Sequence, residues 1–215
     1  MSETLTIWTY DWVPEGPRGF VRDLRLRWAA EEAGLRYEVG AVPFEDRQAA
    51  HFDRQPFGQT PFLTDGDIAV FESGACLLHL ARKSDILMPR TPGGEAGTMQ
   101  WIVAALNSIE MVSVPWWFLG LSGDDENGLS GWLDSRLARM EAVLSERDWL
   151  VDGRFTVADL LMADVLRVPK VRARGNRPAT EAYIRRLVSR PAFKKAHADQ
   201  LAHFAAADER RARDR

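Results

Sequence analysis

The spacing of hydrophobic and polar positions divides the chain into two parts of different character. In residues 5–9, apolar and polar side chains alternate and β-branched and aromatic residues are frequent, which predicts a first strand. Residues 10–19 contain two prolines and two glycines, too many breakers for regular structure. Apolar side chains then recur at helical spacing through residues 20–33, and Gly34 is placed to end that helix.

The next segments complete a small mixed α/β pattern. Residues 36–42 predict a second strand, and residues 43–55 predict an irregular or weakly helical connection. Residues 62–64 and 68–71 are short apolar runs joined by an Asp-Gly-Asp turn, a strong hairpin signal. A helical run follows at residues 75–82. This order predicts a four-stranded mixed sheet with helices on its faces.

The second part of the chain has only helical patterns. It begins after residues 84–94, where two prolines and two glycines mark a boundary. The first long helix is predicted to end before Pro115, and Pro191 stands at the first turn of the last one. The predicted helices cover residues 96–114, 129–147, 157–168, 178–189 and 191–206. The predicted organisation is an α/β domain at 1–83, a linker at 84–94, an all-helical domain at 95–207 and a solvated charged tail at 208–215.

The third of these helices carries a complete start signal. Thr156 is a good N-cap, Asp159 stands three residues later, and Phe155 precedes the cap as a hydrophobic staple residue. This pattern predicts that Asp159 has a structural role and does not take part in catalysis.

Composition narrows the class of protein. The 215 residues are 46% hydrophobic and carry a net charge of −3, so a globular protein is expected, with no electrostatic reason to bind nucleic acid or a membrane. A single cysteine excludes an internal disulfide and fits a reducing compartment, which predicts a soluble cytoplasmic protein. The four histidines lack metal-ligand spacing, so no metal is expected. Cys76 lies among apolar residues and is predicted to be buried and inert.

Residues 56–73 carry the strongest chemical signal. Pro61 follows a polar turn and precedes an apolar strand, which favours a cis peptide bond. Glu72 and Ser73 open a helix, where free backbone N–H groups and the positive helix end suit a small anion. The alternative is an ordinary hairpin followed by an ordinary helix cap.

These motifs together resemble a cytosolic glutathione S-transferase over nearly the whole chain. The motifs that carry the resemblance are Gly58-Gln59-Thr60-Pro61-Phe62-Leu63, Asp65-Gly66-Asp67, Glu72-Ser73, Phe155-Thr156-Val157-Ala158-Asp159 and Arg190-Pro191-Ala192-Phe193. The resemblance implies a thioredoxin-like N-terminal domain, an all-helical C-terminal domain, a homodimer, and glutathione as co-substrate. It implies that Ser73 and Glu72 bind the γ-glutamyl end and that Thr60, before Pro61, pairs with the cysteinyl unit. Gln59 would lie near the glycyl carboxylate, or be an uninvolved turn residue.

The resemblance fails at one catalytic position. Many family members carry Ser or Cys in the loop before the first helix, but residues 11–24 contain no Ser, Thr or Cys. A helix N-terminus contributes about 0.3 to 2 kcal/mol, and one pKa unit corresponds to about 1.4 kcal/mol, so the helix alone shifts a thiol by about one unit. Tyr10 is one candidate donor, although it also suits a role in shielding the sheet edge. The other candidates are the Arg18 charge and the backbone N–H of Arg18 or Gly19.

The resemblance also implies a pocket for a second substrate beside the first long helix of the helical domain. The apolar and aromatic residues expected to line it are Trp12, Met111, Trp116 and Trp117. Such a wall suits a small apolar electrophile, while core packing or a dimer interface is the alternative for Trp116 and Trp117. The expected function is a glutathione-dependent transferase, with a glutathione-dependent peroxidase or isomerase, or a non-catalytic interaction module, as alternatives.

Overall fold

The computed structural model describes residues 4–123 and 126–213. Two compact units divide the chain. One unit contains Met1–Ser84 together with Arg190–Arg215, and the other contains Asp85–Ser189. The chain therefore returns to its N-terminal unit at the end, which differs from the predicted domain organisation.

The first unit is built on a four-stranded mixed sheet, as predicted. Its spatial order is β2-β1-β3-β4, with β1 parallel to β2 and antiparallel to β3, and with β3 antiparallel to β4. The side chains of β1 alternate between buried and half-buried because successive residues point to opposite faces. The strands are β1 (Leu5–Tyr10), β2 (Glu38–Val42), β3 (Phe62–Asp65) and β4 (Ile68–Phe71).

The described part of the first unit has four helices, which are α1 (Asp23–Ala33), the short α2 (Ala49–Phe52), α3 (Ser73–Ala81) and the C-terminal α10 (Pro191–Arg213). Of these, α1 and α3 contact the sheet, and α10 packs on α1. The α1 helix begins three residues later than predicted, because Phe20 donates its backbone N–H to Pro17 in a turn. It ends at Gly34 with φ 64°, which confirms the predicted glycine stop.

The second unit is helical. Its elements are α4 (Pro92–Ala104), a π-helical segment (Ala105–Glu110), α5 (Met111–Gly120), α6 (Ser130–Glu146), α7 (Val157–Leu166), α8 (Pro169–Arg172) and α9 (Pro178–Val188). The predicted stop before Pro115 is wrong, since Pro115 lies inside α5. Proline normally crowds the carbonyl four residues earlier, here that of Met111, and the wider π-helical turn ends immediately before that residue.

The helical stretch Pro92–Gly120 is long and apolar enough to meet the length and composition criteria for a membrane span. Its most apolar 18-residue window has a mean hydropathy of 1.4, and 33% of that window is buried. Core helices of soluble proteins meet the same criteria, and Ile102, Ile109 and Trp116 of this stretch are buried in the second unit.

The predicted capping box at the start of α7 is confirmed. The carboxylate of Asp159 accepts hydrogen bonds from the N–H and hydroxyl of Thr156. It also accepts from the backbone N–H of Leu150 and from the hydroxyl of Tyr183. Asp159 is fully buried, and burial raises its pKa. Its role is therefore structural, as the sequence predicts.

The C-terminal helix corrects the prediction of a solvated tail from residue 208. α10 runs to Arg213, and Asp208 pairs with Arg18 in the first unit. The helix packs on α1 through an edge-to-face contact of Phe193 with Trp28, with ring centres 4.8 Å apart. Residues 214–215 of the predicted tail lie outside the described residues.

Candidate functional site

The segment before β3 presents backbone groups without partners. The peptide bond between Thr60 and Pro61 is cis, as predicted. In the described part of the chain, neither the N–H nor the C=O of Thr60 forms a hydrogen bond. The hydroxyl of Thr60 is buried without a partner as well. Because buried or half-buried backbone groups are nearly always paired, these groups are suited to a peptide-like ligand.

The N-terminus of α3 is a second group of available donors. Its N-cap, Glu72, makes no side-chain cap hydrogen bond and has φ 68°. A positive φ is uncommon for a residue other than glycine and is concentrated at ligand-binding positions. Ser73 is buried, and its hydroxyl accepts a hydrogen bond from Arg25 at 3.2 Å.

Arg25 is a functional candidate that the sequence analysis missed. It lies on α1, is 3% exposed, and brings a positive charge to Ser73. The sequence did contain a hint of this role. Arg25 stands between Leu24 and Leu26 in α1, where the residues on both sides are buried. A buried guanidinium needs partners, and an anion at the α3 N-terminus would provide one.

The turn before Thr60 is held by two buried polar side chains. Gln55 accepts hydrogen bonds from the backbone N–H groups of Phe57 and Gln59, at 2.6 and 3.2 Å. The Nε2 atom of His51 lies 2.9 Å from the carbonyl oxygen of Gln59. The side chain of Gln59 itself is exposed and has no hydrogen-bond partner among the described residues, so it is free to meet a ligand.

Tyr10 and Arg47 form an exposed pair beside this turn. Arg47 donates to the Tyr10 hydroxyl at 3.2 Å and lies 5.5 Å from the centre of its ring. The Tyr10 ring also packs edge-to-face against Phe44. A Cβ at Gly58 would stand 3.3 Å from Cδ of Arg47, which places this cation against the turn. The hydroxyl hydrogen of Tyr10 is still free to donate, since its oxygen acts as the acceptor here.

Arg18 is fully engaged elsewhere, in contrast to the predicted catalytic role. Its guanidinium makes a bidentate contact with Asp208 on α10, at 2.5 and 2.8 Å. The same group donates to the carbonyl of Val13. The hydrogen bond to Asp208 raises the pKa of Arg18 and holds the pKa of Asp208 at about 2. These contacts favour a role in fastening residues 11–22, hereafter the first loop, and no thiolate role is assigned to the Arg18 side chain.

The two backbone donors proposed for the first loop are also occupied. The N–H of Arg18 donates to the carbonyl of Glu15 at 3.0 Å, and the N–H of Gly19 donates to the Gln200 side chain at 3.1 Å. Neither is available to a thiolate in this conformation. At the start of α1, the N–H groups of Leu24 and Arg25 donate to the carbonyls of Val21 and Arg22, both at 3.1 Å, so these donors are occupied as well. The positive end of the helix dipole is what this region still offers to a thiolate.

The residues predicted for the second substrate have different environments. In the first unit, Trp12 packs against Phe44 and Arg211 and donates its ring N–H to Asp208 at 2.8 Å. In the second unit, Trp116 is 2% exposed and donates its ring N–H to Ser130, so most of it is core. Its remaining surface lines a cavity together with charged residues that include Asp134 and Arg174. Met111 is 49% exposed. Trp117 is half-buried and packs edge-to-face against Phe118.

The single cysteine, Cys76, does not carry a reactive thiol. Cys76 is buried, donates its thiol to the carbonyl of Val70, and has a pKa raised to about 12 by burial, so it is inert at neutral pH, as predicted. Within the described residues there is no group of three or more His, Cys, Asp or Glu side chains arranged to hold a metal ion.

Comparison with known proteins identifies the family. Residues 16–82 match the N-terminal domain model of glutathione S-transferases, and residues 129–191 match the C-terminal domain model. Glutathione S-transferase 1 of Zea mays is 32% identical over 149 residues, which cover 66% of this chain and 68% of that protein.

Solved structures give the same fold. A glutathione transferase from Pseudomonas putida with glutathione disulfide bound has a TM-score of 0.77 at 20% identity, covering 91% of each chain. The nitrogen regulation fragment of the yeast prion protein Ure2p has a TM-score of 0.76 at 18% identity, covering 92% of this chain and 97% of that one. The mixed sheet with a cis-proline, the helical second unit and both domain matches show that this chain belongs to the glutathione S-transferase family.

Proposed function

We propose that this protein is a glutathione-dependent transferase that joins the glutathione thiolate to a small apolar electrophile, in the cytoplasm and in the context of detoxification. Glutathione is its co-substrate, and no metal takes part. The observation that carries the proposal is the pair of available binding groups, the unpaired backbone of Thr60 and the uncapped N-terminus of α3.

The proposed glutathione cradle consists of residues 59–61 and 72–73. Ser73 and the α3 N-terminus take the γ-glutamyl carboxylate, with Arg25 adding positive charge through Ser73. Glu72 takes the ammonium group. The N–H and C=O of Thr60, beside Pro61, pair with the cysteinyl unit.

The glycyl end of glutathione carries a second carboxylate. Gln59, whose side chain is free, and the exposed Arg47 beside Gly58 are proposed to bind it. Both are solvent-exposed, so we assign them a smaller share of the affinity than Ser73.

The thiolate is proposed to lie at the N-terminus of α1. There the helix end stabilises negative charge, and Tyr10 is the remaining side-chain donor candidate. The thiol proton passes to solvent, and the sulfur lone pair attacks an electrophilic carbon to form a carbon–sulfur bond. Where the acceptor carries a leaving group, that group departs with its electron pair.

Met111 and Trp117 are proposed to contact the acceptor, because both are accessible and apolar. No acceptor contact is proposed for Trp12, whose ring N–H is bonded to Asp208. Trp116 is left out because it is buried.

A homodimer is proposed from exposed apolar side chains in each unit. In the first unit, Ile68 and Phe71 of the edge strand β4 are 52% and 37% exposed. In the second unit, Met99 and Val103 of α4 are 43% and 50% exposed. Exposed apolar groups of this kind are typical of subunit contacts. Light scattering after size exclusion tests this, and a monomer at micromolar concentration would contradict it.

Calorimetric titration with glutathione tests the central proposal. Binding in the micromolar to low millimolar range is expected, and no heat of binding at millimolar glutathione would contradict every glutathione-dependent reading. If glutathione binds, the initial rate with a general aromatic electrophile is then followed against pH for wild type and Tyr10→Phe. An unchanged pH profile would remove Tyr10 from the mechanism and leave the α1 N-terminus as the source of activation.

The second candidate function is a glutathione-binding protein with little transferase chemistry. It is favoured by the absence of Ser, Thr and Cys in residues 11–24 and by the occupied N–H groups of Arg18 and Gly19. Glutathione binding without turnover of aromatic electrophiles would support it. Turnover of a hydroperoxide instead would support the peroxidase alternative.

A further inference from the structure

A cavity of about 650 Å³ lies within the first unit, away from the glutathione cradle. Its walls come from the second half of α1, the turn that follows it, β2 and α10. Its described lining residues do not include any of residues 59–61 and 72–73. A ligand in this cavity would therefore be held by groups that glutathione does not use.

Arg27 is the most deeply buried charged residue of this cavity. It is 2% exposed, and its Nε atom donates to the carboxylate of Asp23 at 2.7 Å. Its Nη2 atom is buried without a hydrogen bond to any described residue, and Nη1 has none among them either. The two terminal nitrogens of a guanidinium form a planar fork that matches a carboxylate. Because unpaired buried donors are costly, this fork marks a place for an acceptor that the chain does not supply.

Arg36 brings a second available cation to the cavity. It lies between α1 and β2 and is exposed. Its side chain has no ion pair or hydrogen bond with a residue in 4–123 or 126–213. A carboxylate at the Arg27 fork would therefore also meet a positive charge that has no counter-ion in the described chain.

The carboxylates that line the cavity are only partly occupied. Oε1 of Glu31 accepts from the Tyr37 hydroxyl at 3.1 Å and from Lys195 at 2.7 Å. Oδ2 of Asp199 accepts from the same lysine at 2.6 Å. Oε2 of Glu31 and Oδ1 of Asp199 form no hydrogen bond with the described residues. Two carboxylates share one lysine, so this side of the cavity has acceptors and negative charge to spare.

The charges at the cavity balance in number but not in arrangement. Three cations and three anions line it or bond directly to a lining residue: Arg27, Arg36, Lys195, Asp23, Glu31 and Asp199. A ligand with a net charge would upset this balance, whereas a ligand with one group of each sign would preserve it. Arg27 and Glu31 are one helical turn apart on the same face of α1, about 5 to 6 Å between Cβ atoms. The two charged groups of the ligand must therefore be close together.

We propose that this cavity binds a small zwitterion, an α-amino acid with an apolar side chain. Its carboxylate bonds to the Arg27 fork and to Arg36. Its ammonium group bonds to the free oxygens of Glu31 and Asp199. The apolar side chain packs on Leu35 and Val39, which are half-buried and 37% exposed at the cavity wall. The inference is independent of the proposed transferase function.

Calorimetric titration of the full chain with three probes tests the proposal. The probes are L-leucine, 4-methylpentanoate, which lacks the ammonium group, and isopentylamine, which lacks the carboxylate. Leucine is expected to bind with a Kd between micromolar and low millimolar and to raise the thermal midpoint. Each of the other probes should bind at least about tenfold more weakly, since it leaves one set of groups unpaired.

Variants locate the bound leucine. Arg27→Lys keeps a positive charge beside Asp23 but lacks the fork, and the leucine Kd should rise about tenfold or more. Arg36→Ala should raise it about 1.4-fold to fivefold, because the residue is exposed. Arg139→Ala, an exposed arginine on α6, is the matched control and should equal wild type. Circular dichroism and a thermal melt establish that each variant is folded.

A substitute is available if Arg27→Lys does not fold. The double variant Arg36→Ala with Asp199→Asn then replaces it, since both side chains are accessible. It removes one contact to each charged group of leucine, so the Kd should rise at least about threefold.

Several results would overturn the proposal. No heat of binding at millimolar leucine would overturn it and leave the glutathione proposal untouched, because glutathione is titrated separately. Binding of 4-methylpentanoate or isopentylamine as tight as that of leucine would rule out the zwitterion. A wild-type leucine Kd in folded Arg27→Lys, or in the double variant where that one is used, would place leucine elsewhere. A leucine Kd that rises in Ser73→Ala would place it in the glutathione cradle.

Discussion

The glutathione cradle and the first loop use their polar groups in opposite ways. At the cradle, the backbone of Thr60 and the first turn of α3 have unsatisfied hydrogen-bonding groups. In the first loop, the guanidinium of Arg18 and the N–H groups of Arg18 and Gly19 all have partners within the chain. The difference indicates that the cradle is organised to bind a ligand, whereas the loop is organised to hold its own shape. Substitutions in the two regions should therefore change different measured quantities.

The largest effect is expected from Asp23→Ala beneath the first loop. Asp23 is fully buried and bonded to Arg27 and Gln200, so its removal takes this acceptor from the buried Arg27 guanidinium and leaves the Gln200 amide only the carbonyl of Val21. The free energy of unfolding should fall by about 3 to 5 kcal/mol. Urea denaturation measures this, with the exposed Asp53→Ala in the same unit as control, expected to change by less than about 0.5 kcal/mol.

At temperatures where Asp23→Ala is folded, its glutathione Kd should remain close to that of wild type, because the cradle is intact. A stability loss below about 1 kcal/mol would show that the loop tolerates an unpaired Arg27 and would weaken the contrast between the two regions.

Ser73→Ala in the cradle should weaken glutathione binding strongly and change stability little, the opposite of Asp23→Ala. A hydrogen bond to a charged group is worth about 1.5 to 3 kcal/mol, so the Kd for glutathione should rise about tenfold to a hundredfold. Stability should change much less than for Asp23→Ala. Calorimetry measures the Kd, and Ser145→Ala on α6, an exposed serine, is the control. Unchanged affinity in Ser73→Ala would contradict the placement of glutathione.

Arg47→Ala should have a smaller effect of the same kind. Arg47 is exposed, so its contribution to a glycyl carboxylate is about 0.2 to 1 kcal/mol, and the Kd should rise about 1.4-fold to fivefold. The effect should shrink as salt is added, because exposed charges are screened. Arg139→Ala on α6 serves as control. If the loss of glutathione affinity does not depend on salt, the lost packing of Arg47 against Tyr10 is its cause.

The smallest effect concerns the pH dependence of stability. Arg18 lowers the pKa of Asp208 from about 4 to about 2, so the ion pair stabilises the folded state above pH 4. That contribution is lost as the pH falls from about 4 to about 2. Thermal midpoints of wild type and Asp208→Asn should therefore differ at pH 7 and converge near pH 2. A constant difference across this range would show that Asp208 acts without its charge.

Much of the fold follows from local sequence patterns. The four strands, the stop at Gly34 and the cap at Thr156 each depend on residues a few positions apart, so periodicity and capping rules were sufficient. The cradle was predicted for the same reason, since Glu72 and Ser73 begin a helix directly after a strand. The resemblance to a known family then supplied the ligand, which no local pattern specifies.

Other features depend on contacts between distant parts of the chain. Pro115 was predicted to end a helix, but α5 continues through it to Gly120, directly after a π-helical segment. Arg25 is a functional candidate only because the fold places α1 beside Ser73. Trp116 became a core residue because α6 supplies Ser130 to its ring N–H.

Two buried carboxylates, those of Asp159 and Asp23, show most clearly which contacts can be predicted from the sequence and which cannot. The partners of Asp159 include its own N-cap Thr156, so sequence alone determined its role. Asp23 has one local partner, Arg27. Its other partner, Gln200, and the Asp208 that pairs with Arg18 in the first loop lie on a helix about 180 residues away in the sequence. A local pattern specifies a hydrogen bond only when donor and acceptor are close in the chain. The tertiary structure alone decided that the last helix holds the loop where thiol activation is proposed.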